Sequence, residues 1–116
     1  MAKNMVREAL ELPLSVLDLN SASPLNKLAL KQWIWVENMG WHNKQPLEYV
    51  ALIASEISEV ANECRGEHPT DNLGEELADI VLRTIDMAYQ FNIDIDEAIQ
   101  KKMAINSKRD TRVRLK

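Results

Sequence analysis

The stretch Pro46-Leu47-Glu48-Tyr49-Val50-Ala51-Leu52-Ile53-Ala54-Ser55-Glu56-Ile57-Ser58-Glu59-Val60-Ala61-Asn62-Glu63-Cys64 decides the fold. Val50, Ile53, Ile57, Val60 and Cys64 recur at heptad-like spacing, the pattern of an apolar helix seam. Tyr49, Leu52, Glu56, Glu59 and Glu63 form the neighbouring stripe. Its acids therefore lie beside the seam and not opposite it, where a merely solvating face would be. A second acid pair follows in Glu76-Leu77-Ala78-Asp79, with sixteen residues between Glu59 and Glu76. Residues three apart share a helix face, so two such helices packed side by side bring four carboxylates into one small volume. Two unit charges about 4 Å apart repel by roughly 4 kcal/mol at an effective dielectric of ~20, and a divalent cation removes that cost.

Outward from this stretch the chain reads as helices throughout. Ser23 as N-cap and Pro24 in the first turn predict a helix over 24–39 that stops at Gly40, with Leu25, Leu28, Leu30, Trp33, Ile34, Trp35 and Val36 as its apolar positions. Residues 40–45 read as a loop, and Pro46 opens a helix to about Arg65. A loop over 66–72 leads to a third helix of 72–91, with Leu73, Leu77, Ile80, Val81, Thr84, Ile85 and Ala88 expected inward. Asp94 is expected to cap a fourth helix over 95–109 carrying Ile95, Ala98, Ile99, Met103 and Ile105. Three glycines and four prolines in 116 residues support an all-α domain of four-helix-bundle type. Its expected extent is residues 23–110, after an N-terminal arm of 1–22 and before a basic tail of 111–116.

No run of 18 apolar residues occurs and no secretory pattern opens the chain, so a soluble, cytoplasmic protein is expected. The single cysteine, Cys64, excludes an intramolecular disulfide and a thiolate zinc cluster, and its place on the seam predicts an inert core thiol. The net charge of −4 conceals a segregation. Residues 37–97 hold fourteen acids against Lys44, Arg65 and Arg83, a net of −11, whereas residues 100–116 hold seven bases against Asp110, a net of +6. Concentrated acid suits a metal site, and concentrated base suits a polyphosphate. An all-oxygen ligand set suits Mg²⁺ or Mn²⁺ better than zinc. A di-iron bundle would want Glu-x-x-His on two helices, whereas His42 and His68 read as loop residues.

The order Glu-x-x-Glu, sixteen residues, Glu-x-x-Asp resembles the signature of the MazG-like all-α nucleoside triphosphate pyrophosphohydrolases. The resemblance continues through Asn92-Ile93-Asp94-Ile95-Asp96-Glu97-Ala98-Ile99 and then Lys102, Asn106 and Arg109, similar to the family's closing turn, acidic helix start and Lys-x3-Asn-x2-Arg run. It covers about residues 46–110. Two departures stand out. Ser55 precedes Glu56 where many members carry a second acid, and Asn92 replaces a turn glycine, a change Asn tolerates because it accepts the left-handed conformation.

The resemblance implies hydrolysis of a nucleoside triphosphate, expected to be a deoxynucleotide, between the α and β phosphates, for control of the nucleotide pool. Glu56, Glu59, Glu76 and Asp79 would hold Mg²⁺, with Mn²⁺ as a substitute, lowering the pKa of a bound water. Glu56 or Glu59 would take the water's proton. Lys102, Asn106 and Arg109, at i, i+4 and i+7, would neutralise the β and γ phosphates, with Lys101 and Arg83 in reserve. Arg83 is also read as an ion-pair partner of Asp79, and Glu63 as an additional ligand. Trp41, in a loop, is the expected base-stacking residue, and Trp33 is expected in the core.

Four modest helices do not enclose a nucleotide alone, and the apolar flanks of Leu28, Trp33 and Trp35 predict a homodimer or homotetramer. One rival is a non-catalytic helical oligomer with a solvated acidic face. Another is a nucleic-acid binder using the basic tail, which the acidic body opposes by repulsion.

Overall fold

A computed structural model describes residues 23–109; the expected arm of 1–22 and tail of 111–116 lie outside the described residues. Among the described residues there are four helices and no strand: α1 (Pro24–Asn38), α2 (Pro46–Glu63), α3 (Leu73–Gln90) and α4 (Ile95–Ser107). Each boundary falls within two residues of its expected place, because each is written in local chemistry. Prolines open α1 and α2, and Gln45 and Glu48 form a reciprocal capping box on α2. The Asp94 carboxylate accepts the Glu97 N–H at the start of α4.

Two helices end in the same way. Gly40 (φ 75°) and Asn92 (φ 58°) take the left-handed conformation just past α1 and α3. The Gly40 and Trp41 N–H groups donate to Glu37 and Val36 carbonyls, and those of Asn92 and Ile93 donate to Tyr89 and Ala88, the paired bonds of a Schellman end. The turn at Gly40 directs the chain back beneath α1, which brings Trp41 and His42 to the site described below.

α3 is the hub: it packs along both α1 and α2, and α4 leans more lightly on α1 and α3. The core lies between α1 and α3, where Ala29, Trp33, Ile85 and Tyr89 are buried. Trp33, expected in the core, is 4% exposed and its indole N–H donates to Gln90 Oε1 at 2.6 Å. Burial pushes the Tyr89 hydroxyl up to about 12.

Several burial expectations are corrected. Ser23 makes no side-chain cap. Instead the Asp96 carboxylate of α4 accepts the Leu25 N–H at 3.3 Å and the Asn26 N–H at 2.7 Å, capping α1 from 70 residues away in sequence. The fully buried Asn26 returns the contact, donating to Asp94 Oδ1 at 2.8 Å and accepting the Ile95 N–H at 3.0 Å. On α2 the apolar seam is covered only in part: Ile53 and Val60 are half-buried, but Val50 is 49% and Ile57 54% exposed, and Cys64 is an exposed thiol at the helix end and not core. Leu77, Val81 and Thr84 on α3 and Met103 and Ile105 on α4 are exposed as well, and Trp33 is no part of an exposed flank, unlike Leu28 and Trp35. Helical period shows which face is apolar, but α3 uses its inward face on α1 and α2, which leaves a second apolar face open.

Candidate active site

The packing of α2 on α3 brings Glu56, Glu76 and Asp79 together. Each offers a carboxylate oxygen within 4.8 Å of the others. Glu56 and Glu76 are half-buried and Asp79 is exposed. Burial, and then the Asp79, Glu59, Glu63 and Glu56 charges, hold the Glu76 carboxyl above its ordinary range. Three hard oxygens without nitrogen or sulfur form a donor set for Mg²⁺ or Mn²⁺, and they sit close enough to share one ion.

The other expected ligands are placed differently. Glu59, one turn beyond Glu56, is exposed and outside that group of three, although its charge reaches Glu76. Glu63 is engaged elsewhere: its carboxylate accepts the Thr70 hydroxyl and its carbonyl accepts the Thr70 N–H at 2.9 Å, closing the α2–α3 connection. The Ser55 hydroxyl donates to the Leu52 carbonyl of its own helix. Arg83 does not pair with Asp79. Its Nε donates to Glu56 Oε2 at 2.6 Å, across from α3 to α2.

Beside the acids lies a cleft of about 240 Å³. Glu56, Asp79 and Arg83 line it together with Trp35, Trp41 and Tyr49. Trp41 is 46% exposed and meets Trp35 edge to face at 5.4 Å, so an indole face remains open to a planar ligand. Lys44 stands over the Tyr49 ring, 5.6 Å from its centroid. A shallower depression of about 550 Å³ adjoins, sharing Gln32, Trp35 and Asp79 and adding Lys31. Taken alone, a cleft of about 240 Å³ is below the roughly 300–1,000 Å³ of ordinary ligand pockets.

The floor of the cleft holds a feature the sequence reading passed over. His42, read as a loop residue, is buried, with Nδ1 2.8 Å from Glu37 Oε1 and Nε2 2.8 and 3.0 Å from the two Asp86 oxygens. The ring stacks on Trp33 at 4.8 Å, and the Tyr49 hydroxyl donates to the His42 carbonyl at 3.3 Å. Burial, then Asp86, Glu37 and Glu48, push that hydroxyl up to about 12. This cluster fixes the loop bearing Trp41 to α3. A detectable signal existed in Asp86, which follows Asp79 and Arg83 at i+7 and i+3 on one face of α3.

Lys102, Asn106 and Arg109 are exposed on and just past the distal half of α4, and none lines either depression. Lys101 is exposed and faces Glu97 at 3.8 Å. Within one protomer, therefore, the acids and the expected phosphate clamp are not assembled.

The model of the MazG nucleotide pyrophosphohydrolase domain family matches residues 44–114. The chain belongs to this family. No curated protein and no solved structure matches the chain. The matched residues include both acid pairs and all of α4 but not α1, so Gln32, Trp35 and Trp41 lie outside the matched residues. Among the described residues no helix is long and apolar enough to cross a membrane.

Proposed function

We propose that this MazG domain is a Mg²⁺-dependent pyrophosphohydrolase that cleaves a nucleoside triphosphate, preferably a deoxynucleotide, to the monophosphate and pyrophosphate, and that it does so as a cytoplasmic homo-oligomer controlling the nucleotide pool. The observation that carries the reading is the convergence of Glu56, Glu76 and Asp79 within 4.8 Å beside a cleft with an exposed indole. These three residues would hold the cation, with Mn²⁺ as a substitute. The bound ion would supply charge neutralisation and an acidified water.

The chain's own residues supply the remaining parts. Glu59 is one turn from the cluster and free of the Arg83 contact that engages Glu56, so it is the better placed of the two candidate bases. A water oxygen bonds to the α phosphorus as the bond from that phosphorus to the α–β bridging oxygen breaks. The electron pair leaves with pyrophosphate and the water's proton goes to Glu59. Trp41 stacks on the base.

Lys102, Asn106 and Arg109 bind the β and γ phosphates once α4 of a neighbouring copy brings them to the acids. The exposed Val50, Ile57, Leu77 and Val81 on the α2–α3 pair, with Met103 and Ile105 on α4, supply the apolar area for that association. The alternative, a non-catalytic oligomer, leaves the convergence of three acids without a use.

The test is turnover of the eight common NTPs and dNTPs with Mg²⁺ or Mn²⁺, with products resolved. Monophosphate and pyrophosphate from the wild type and none from Glu76→Ala support the reading. Diphosphate with free phosphate contradicts the α-phosphorus assignment, and metal-independent silence on every substrate favours the non-catalytic oligomer.

A further inference from the structure

Arg83 is, among the described residues, the one cation that touches the acid cluster, and the reaction outlined above gives it no part. Its guanidinium meets Glu56 through Nε alone, so among the described residues the two terminal nitrogens have no partner, and the side chain is 40% exposed. Arg83 lines the cleft together with Glu56 and Asp79. On α3 it stands one turn past Asp79 and one turn before Asp86, between the carboxylates that would hold the ion and the cluster that fixes the Trp41 loop. The other cations nearby are Lys44, engaged by the Tyr49 face, and Lys31 in the adjoining depression. The phosphate undergoing attack lies, in any nucleotide, between the base and the β phosphate. A guanidinium between the acid group and the aromatic group therefore faces that phosphate, with a planar fork suited to two of its oxygens.

We propose that Arg83 is a catalytic residue: its terminal N–H groups donate to a non-bridging oxygen of the α phosphate, and Glu56 holds the guanidinium in place for that contact through Nε. Arg83 transfers no proton. It stabilises the charge that grows on the α phosphate oxygens as the water attacks, the work of a preorganised donor in a partly water-excluded site. The inference rests on the pyrophosphohydrolase reading of this cleft. It also gives Glu56 a double use, as cation ligand and as anchor of Arg83, so in the nucleotide-free protein the arginine and the divalent ion compete for the charge of one carboxylate.

That competition separates a catalytic Arg83 from one that merely orients Glu56. The experiment compares the full-length wild type with Arg83→Gln and Arg83→Lys in three measurements: Mn²⁺ binding without nucleotide, by electron paramagnetic resonance; kcat and KM on the best substrate at saturating Mn²⁺; and affinity for a non-hydrolysable α,β-methylene triphosphate. The expected result for Arg83→Gln is a fall in kcat of about 10²- to 10³-fold, the size seen when one oxyanion donor is removed, with Mn²⁺ binding as tight as in the wild type or several-fold tighter. Arg83→Lys recovers part of kcat.

A kcat within threefold of the wild type overturns the proposal. So does a fall of tenfold or more in Mn²⁺ affinity with kcat restored by excess Mn²⁺, which would make Arg83 only a support for Glu56. If the glutamine variant melts below the assay temperature, Arg83→Lys carries the same comparison, with a kcat as high as the wild type counting against the proposal. A wild type that turns over no substrate contradicts the reaction, and analogue affinity then decides on Arg83: unchanged in Arg83→Gln, it overturns the contact, and weakened tenfold, it supports it.

Discussion

Replacing His42 by leucine tests the claim that Asp86 and Tyr49 in the cleft wall are held by a buried hydrogen-bond cluster around one ring. The substitution keeps an apolar volume on Trp33 but removes both ring nitrogens, leaving the buried Glu37 and Asp86 carboxyl groups without that partner. Leaving a buried polar group without its hydrogen-bond partner costs about 1–3 kcal/mol, and two such groups are left here. Loss of the ring stack on Trp33 adds about 0.5–1.5 kcal/mol. About 4 kcal/mol is a large share of the roughly 5–15 kcal/mol that holds a small domain together. At about 4–8 °C per kcal/mol for a domain of this size, Tm should fall by about 16 °C or more. Thermal melting by circular dichroism, at one fixed protein concentration because association would stabilise the fold, reads the loss. Glu37→Gln and Asp86→Asn added to His42→Leu should return part of it, since the carboxyl groups left without a partner and not the missing ring carry most of the cost. A single variant within about 1 kcal/mol of the wild type, or a triple variant that loses the sum of its parts, would refute the reasoning.

Four further outcomes follow from the same geometry. The Glu76 carboxyl binds its proton more tightly folded than unfolded, so metal-free stability should fall as pH rises through the carboxylate range; Glu76→Gln should flatten that slope, and Mg²⁺ should raise the Tm of the wild type but not of the variant. Asp94 is shifted the other way, held below its ordinary range by the Asn26 amide and then the Glu97 N–H; its contribution is present above the unfolded pKa and lost as pH falls through the folded one, and Asp94→Ala should cost about 1 kcal/mol near neutral pH in a denaturant titration. Trp41→Ala should leave the melting curve nearly unchanged while raising KM about tenfold or more, as loss of a base stack of roughly 1–3 kcal/mol requires. Ile57→Asp should lower the mass measured by light scattering to that of one protomer, if the open α2 face is where copies meet.

Helix ends and the acid cluster were legible because each is local or nearly so. Pro24, Pro46, Gly40 and Asp94 act within one turn of themselves, and Asn92 takes the left-handed conformation expected of it. Glu56, Glu76 and Asp79 converge where α2 packs on α3, whereas Glu59, expected with them at the same three-residue spacing from Glu56, stays outside that group. What escaped depended on partners distant in sequence. His42 is buried only because Asp86, 44 residues on, meets its ring, and α1 is capped by Asp96 from the far end of the domain. Periodicity marked Val50, Ile57 and Cys64 as part of a core seam, yet periodicity describes one helix and not what lies against it, and among the described residues no helix buries these three. The same limit applies to Lys102, Asn106 and Arg109: their shared face on α4 could be read, but not its distance from the acids.

The most direct test of the account is the position of solvent oxygen after one turnover in H₂¹⁸O with Mg²⁺ and the best substrate, read by mass spectrometry of both products. Attack at the α phosphorus predicts one ¹⁸O in the nucleoside monophosphate and none in pyrophosphate. Label in pyrophosphate, or in free phosphate beside a diphosphate, would place the attack at another phosphorus and contradict the assignment of this cleft.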